Sequence, residues 1–348
     1  MYTYIFIFIY ALLLAVFFDR FNLKLKWIAI VFCVVFLTVF FGSKYNTGTD
    51  SGNYQRLYDY AIYIYDLYGE YYLRFPEVLY FGLNLFSSLN GFSTVLIYTV
   101  CGFLIAFTTL YSAINVKVNP ILLLVIIFPF HIVMMAISGI RQGVAESFVL
   151  LAASLIITGN RKSAFWMIVI ATGFHASALI FMSLIVIEVK KRYLFIFVPF
   201  LVVCSLIGGS SEYGHYIGSN LFNAGVFMRV GFVLVLSLAI YLLIKNVTIR
   251  SLARPYSRWV YFSYYSFPGL VMLALVNTTL SDRVSYYFIC IISLVYLVLQ
   301  KRYGSPKFVT PIIILASFVC LFAFLTIGNH AQDYHYDSYI YHLFDNHS

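Results

Sequence analysis

Stretches apolar enough to cross a bilayer recur from end to end of this chain, and they limit what it can fold into more than any motif does. A spanning helix needs about 20 apolar residues, and runs near that length read as spans over 2–18, 27–42, 92–114, 120–137, 143–158, 164–187, 194–208, 226–244, 259–276, 284–299 and 308–327. In lipid every backbone polar group must be satisfied internally, so such runs are helices or strands of a closed barrel. Barrel strands alternate apolar and polar residues, and these runs do not. Of the 348 residues, 62% are hydrophobic and 10% charged. Soluble domains carry about 25% charge, so this chain has too little to cover a water-soluble globule. The expectation is an all-α, polytopic transmembrane helical bundle of about 10–12 spans, with residues 1–348 as a single integral membrane domain. The opening MYTYIFIFIYALLLAVFF has no basic start and no small-residue cleavage site, so it reads as a retained first helix.

Lys and Arg in short loops mark the cytoplasmic side. They cluster in 19–26 (Arg20, Lys24, Lys26), at Lys117, in 159–163 (Arg161, Lys162), at Lys190, Lys191 and Arg192, in 245–258 (Lys245, Arg250, Arg254, Arg258) and in 300–307 (Lys301, Arg302, Lys307). Placing all of these inside leaves Lys44, Arg56, Arg74, Arg141, Arg229 and Arg283 outside, with nearly all the acids. It also places the N-terminus, 43–91, 138–142, 209–225, 277–283 and the C-terminal tail outside. Both ends of 164–187 then face the cytoplasm, although that run is short for two crossings. Irregular backbone at membrane depth is tolerated only inside protein or along a wet cavity. The segment is therefore expected to break or re-enter, its tip near Gly173–Ser177 pointing outward. The rival topology makes 79–90 a full span and 164–187 a single crossing, and leaves more basic residues outside.

The outer face so defined collects the residues with chemistry. In SGIRQGVAES, Arg141 opens a helix, and Gln142 and Glu146 share a face at i, i+4. A guanidinium beside the free N–H groups of a helix start suits an anion, and phosphate is the anion that lipid carriers present at this depth. The alternative is an arginine snorkelling to headgroups. Asp282 and Arg283 in SDRVSYYF carry the same two readings. His175 lies within an apolar stretch, where a histidine is a functional candidate by default. It is either a base or hydrogen-bond donor to a hydroxyl, or a core residue bonded to a carbonyl. In YNTGTDSGNYQRLY, Asp50 sits between Gly48 and Gly52, near Tyr54 and Arg56. Asp50 either activates an acceptor hydroxyl or binds sugar hydroxyls, or it forms an Asx-turn or caps the helix that begins near Tyr54. Tyrosines through 54–72 suit sugar rings and equally a membrane interface.

The five cysteines all lie in apolar runs without CxxC or Cys/His pairing in sequence, so neither a disulfide framework nor a metal site is expected. The remaining histidines, His131 among them, carry little weight. No nucleotide-binding loop is evident, and no nucleic acid partner or cofactor is expected.

The motifs fall in a familiar order: GTD-x-x-x-Y after the second helix, I-R-Q-x-x-A (Ile140, Arg141, Gln142, Ala145), F-H-x-S-A (Phe174, His175, Ser177, Ala178) and D-R-x-x-Y-Y-F (Asp282, Arg283, Tyr286, Tyr287, Phe288). Over about residues 40–290 the chain resembles the EpsG-type family of bacterial polysaccharide polymerases, related in role to the Wzy-type O-antigen polymerases. The resemblance implies transfer of a growing glycan from undecaprenyl pyrophosphate onto a lipid-linked oligosaccharide repeat unit at the outer face of the cytoplasmic membrane. It also implies a chain-length regulator and a flippase in the same membrane. In that chemistry His175, Asp50 and Arg141 are the expected catalytic residues. Arg283, Gln142, Tyr54, Arg56, Asp282 and Glu146 are expected to bind substrate, with 43–91 the external substrate-binding segment. A flippase or transporter of lipid-linked sugars would show pseudo-symmetric spans. An O-antigen ligase would more often carry its large outer loop late in the chain.

Overall fold

The computed structural model describes residues 2–68, 77–186, 223–245 and 254–345. The expected span 194–208, the basic loop Lys190–Arg192, and Arg74, Tyr71, Tyr72 and Arg250 lie outside these described residues. The helices are α1 (Tyr2–Phe18), α2 (Leu23–Gly42), α3 (Ser51–Tyr68), α4 (Val78–Leu89), α5 (Thr94–Asn115) and α6 (Pro120–Ile127), which continues as a π-helix over Phe128–Ser138. Then come α7 (Ile140–Ile157), α8 (Arg161–Phe174), a 3-10 segment (Ala176–Met182) and a short turn (Ser183–Val186). After the described gap follow α9 (Gly225–Ile244), α10 (Arg254–Val276), α11 (Thr278–Tyr303), α12 (Val309–Ile327) and α13 (Tyr339–Asp345). Among the described residues every regular element is helical, and eight helices are long and apolar enough to cross a membrane.

Polar caps set where these helices start. The side chains of Asn22, Ser93, Asn119, Asn160 and Asn277 each accept a backbone N–H from the first turn that follows, satisfying donors that would otherwise be orphaned. Two helix starts lie away from the apolar runs, one of them set by such a cap. Asn277 starts α11 well before residue 284, so Arg283 lies inside the helix rather than just outside a span. Likewise α7 begins at Ile140 rather than 143, with Arg141 in its first turn.

The bundle has two chemically different ends. At one, Asn119 donates to the Ala15 carbonyl at 3.0 Å, Lys301 donates to the Lys117 carbonyl, and Arg302 lies 4.6 Å over the Tyr256 ring. The basic loops among the described residues gather there. At the other end the C-terminal segment crosses the α2–α3 turn. Tyr339 N–H bonds the Ser43 carbonyl at 2.7 Å, Tyr45 N–H bonds Asp337 at 2.9 Å, and Gly48 N–H bonds Asp333 at 2.7 Å. Tyr336 stacks on Phe40 with centroids 4.3 Å apart. Gly48 has φ +95°, and a Cβ there would meet the Ile137 carbonyl oxygen at 2.8 Å, so glycine alone fits this turn.

The expected break in 164–187 is present. His175 is extended (φ −153°, ψ 124°) between α8 and the 3-10 segment. A straight helix would carry Ser183 about 13 Å past Phe174. Instead Ser183–Val186 packs on α8 and α7, so the chain has turned back. Residues 43–91 contribute α3 and α4, which pack on each other, with α4 also against α5 and α8.

Candidate functional site

The site lies at the end opposite the basic loops, where the starts of α4, α7 and α11 meet the break after α8. Arg141 Nη1 donates to Glu77 Oε2 at 2.6 Å, with the two side chains 25% and 7% exposed. Glu77 Oε1 accepts the Ala176 N–H at 3.3 Å. One carboxylate thus ties α4, α7 and the α8 break together. The Arg141 guanidinium also lies 5.5 Å over the Tyr80 ring. Leu57, Glu77, Tyr80, Phe81, Asn84 and Arg141 line a small pocket here.

The backbone settles the tautomer of His175. Ser177 N–H points at Nδ1 from 3.3 Å, and Ser177 Oγ lies 2.8 Å from the same nitrogen. Nδ1 is therefore the acceptor, and the neutral ring carries its proton on Nε2. Ser177 Oγ is in turn 2.8 Å from the Tyr287 hydroxyl, which anchors the break to α11. Glu77, Arg141 and Arg283 all lie within electrostatic reach of His175.

Gln142 joins the second arginine to α7. Its Nε2 donates to the Arg283 carbonyl at 2.8 Å, and its Oε1 accepts from Arg283 Nη1 at 3.3 Å. Arg141 and Arg283 are both partly open to the surroundings, while Gln142 is buried. The two guanidinium groups, each in the opening turns of a helix, make a cationic cradle whose chemistry suits an anion.

Asp50 precedes α3, and its carbonyl accepts the Tyr54 N–H at 3.0 Å. Its own N–H reaches Ser138 Oγ at 3.3 Å, and Thr49 Oγ1 meets the same oxygen at 2.6 Å. Its carboxylate accepts no hydrogen bond among the described residues, so the capping role stays with the backbone. Tyr54 is buried, with the Arg141 backbone, Asp50 and Arg283 within electrostatic reach of its hydroxyl. Burial raises its hydroxyl above the usual tyrosine range. Beneath it Lys44 donates to the Ile137 carbonyl, 4.3 Å over the Tyr98 ring, and burial pulls its ammonium down to about 7.

Three expected residues stand apart from the open cradle. Arg56 lies on the exposed side of α3 and bonds its own helix, through Asn53 Oδ1 at 2.8 Å and the Gly52 carbonyl at 3.3 Å. Asp282 is turned to Arg229, whose guanidinium lies 4.5 Å over the Tyr286 ring. Glu146 is wholly buried below Gln142. Sequence reasoning missed Glu77, Ser177 and Tyr287 as partners, because only tertiary contact gives them roles. It also discounted His131, although the rule applied to His175 covers it equally: FPFHIVMM is an apolar stretch. The structure also brings His131, Glu146 and Cys290 together, with one ligand atom from each within 4.8 Å of the others. Nothing in their sequence spacing indicates this.

A family model described as EpsG family matches residues 27–340, beyond the motif-bearing region on both sides. No curated protein and no solved structure matches the chain.

Proposed function

The chain belongs to the EpsG family, which supports a polysaccharide polymerase type of function in a multi-pass membrane protein, and we propose that it transfers a growing glycan from a polyprenyl diphosphate carrier onto a lipid-linked oligosaccharide repeat unit. In this reading Arg141 and Arg283 hold the diphosphate of the donor, undecaprenyl pyrophosphate in bacteria. The acceptor hydroxyl attacks the anomeric carbon, and a new C–O bond forms. The bond from that carbon to the diphosphate breaks, and the carrier leaves with the electron pair. Preorganised guanidinium groups stabilise the negative charge that develops on the leaving group. The proton on His175 Nε2 supplies one more donor to the phosphate oxygens. Asp50, whose carboxylate is uncommitted among the described residues, takes the proton of the acceptor hydroxyl. Tyr54 and the α3–α4 segment line the acceptor side. The active end is the outer face, because the basic loops gather at the opposite end.

The observation that carries this reading is the pair of partly open arginines joined through Gln142 at the α8 break. The test is deletion of the gene in its host, with wild type, Arg141→Ala or Arg283→Ala added back at matched protein levels and surface glycan resolved on a gel. Deletion should collapse a ladder to a single repeat unit, and each arginine variant should restore polymer about a hundredfold less well or worse, roughly the loss when one oxyanion donor is removed. Full ladders from both variants would refute the arginine assignment. Total loss of surface glycan on deletion would point to export or ligation instead.

A further inference from the structure

A second set of polar groups runs inward from the arginine cradle, and anion binding alone does not account for it. Gln142 Nε2, which bonds the Arg283 carbonyl, also donates to Glu146 Oε1 at 2.9 Å. Glu146 Oε2 lies 3.0 Å from His131 Nδ1, and His131 Nε2 lies 3.0 Å from Thr109 Oγ1. Thr109, His131 and Glu146 are all fully buried. The chain joins α5, the π-helix, α7 and α11. π-helical turns inside helices are frequent at functional sites, and this one presents His131 to Glu146.

We infer that His131 and Glu146 are positioning residues that hold Arg283 through the orientation of the Gln142 amide. A carboxylate only accepts, so Gln142 must present its NH2 to Glu146. That turns Oε1 toward the Arg283 guanidinium, which only donates. A flipped amide would set its oxygen against Glu146 and the Arg283 carbonyl, and its NH2 against the guanidinium. His131 Nδ1–H fixes the carboxylate, and Thr109 O–H meets the free Nε2, so every donor along the chain faces an acceptor. Ionisable groups at this depth are costly, and apolar packing of similar volume would serve stability as well. Their presence needs a role beyond holding the bundle together. Cys290 lies beside the pair, but both His131 nitrogens and both Glu146 oxygens already have hydrogen-bond partners. The 3.0 Å between His131 and Glu146 is a hydrogen-bond separation.

This inference rests on the reading of Arg283 as a diphosphate ligand. The test is calorimetric binding of inorganic pyrophosphate to purified protein in nanodiscs, with thermal unfolding to confirm folding. Glu146→Gln and His131→Leu should each weaken binding about tenfold when Arg283 is present, and less than about twofold in an Arg283→Lys background. Thr109→Val, which keeps both ionisable groups, should give a smaller loss in the same direction and serves if either other variant fails to fold. Unchanged affinity, or equal losses in both backgrounds, would overturn the positioning role. Wild type that binds no pyrophosphate would overturn the diphosphate site itself, and this inference with it. A stoichiometric metal that Cys290→Ser removes would also overturn it, by making His131 and Glu146 ligands.

Discussion

At the residue scale, the site is built from side chains that break a rule of their surroundings. Arg141 and Arg283 are cations at the end poor in basic loops, and His175 interrupts an apolar stretch, so all three were legible in the sequence. Lys44 breaks a rule of another kind: it is an ammonium buried under Tyr54 and Tyr98. Burial lowers its pKa to about 7, while the ring faces and the Ile137 carbonyl favour its charged form. Unfolded, a lysine keeps its proton to about pH 10.4. Between those values the folded state binds fewer protons, so raising pH favours folding. Stability should therefore rise from pH 7 to pH 9 by up to about 1.4 kcal/mol per unit, and the slope should be lost in Lys44→Met. Thermal unfolding in detergent across that range checks this, and a slope unchanged in the variant would show that Lys44 is not its source. Glu77 was not legible in the same way. A carboxylate next to Pro76 reads as an ordinary helix start, and its bonds to Arg141 and Ala176 exist only once α4 lies against α8.

At the element scale, helix type followed directly from the apolar runs, because period and length leave no other choice in lipid. Helix ends did not, because caps such as Asn277 sit outside those runs. The break at His175 was legible only through charge, since basic residues flank a segment short for two crossings. The contact that places the break was not legible. Gly173 lies so close to α4 that a Cβ would meet Leu79 side-chain atoms at 2.7 Å. Gly173→Ala should cost about 1–3 kcal/mol through overpacking and lower transfer by displacing Glu77 from Arg141 and Ala176. Leu79→Ala in the same chain should recover most of both. Unfolding midpoints and polymer yield for the single and double variants measure this, and no recovery would mean that α4 does not dock through Gly173.

At the scale of the whole molecule, charge divides the bundle into two ends, and the candidate site occupies the end with few basic loops. The C-terminal segment was the least legible part. It straps the α2–α3 turn through backbone bonds and through Tyr336, which stacks on Phe40 and donates to its carbonyl, and one tyrosine in a tyrosine-rich tail marks no such partner in sequence. The strap holds Gly48 and Asp50 against Ser138, at the tip of the helix that carries His131, and so connects the motif at 45–58 to the interior network. The claim on which everything else depends is that this assembly lengthens a lipid-linked glycan. Its most direct test is to incubate the purified protein in liposomes with the host's polyprenyl-diphosphate-linked repeat unit, and to resolve the products by size, with Arg141→Ala alongside. The account predicts a ladder of two or more repeat units and release of free polyprenyl diphosphate, both lost in the variant. Repeat units that remain single with wild-type protein would contradict it.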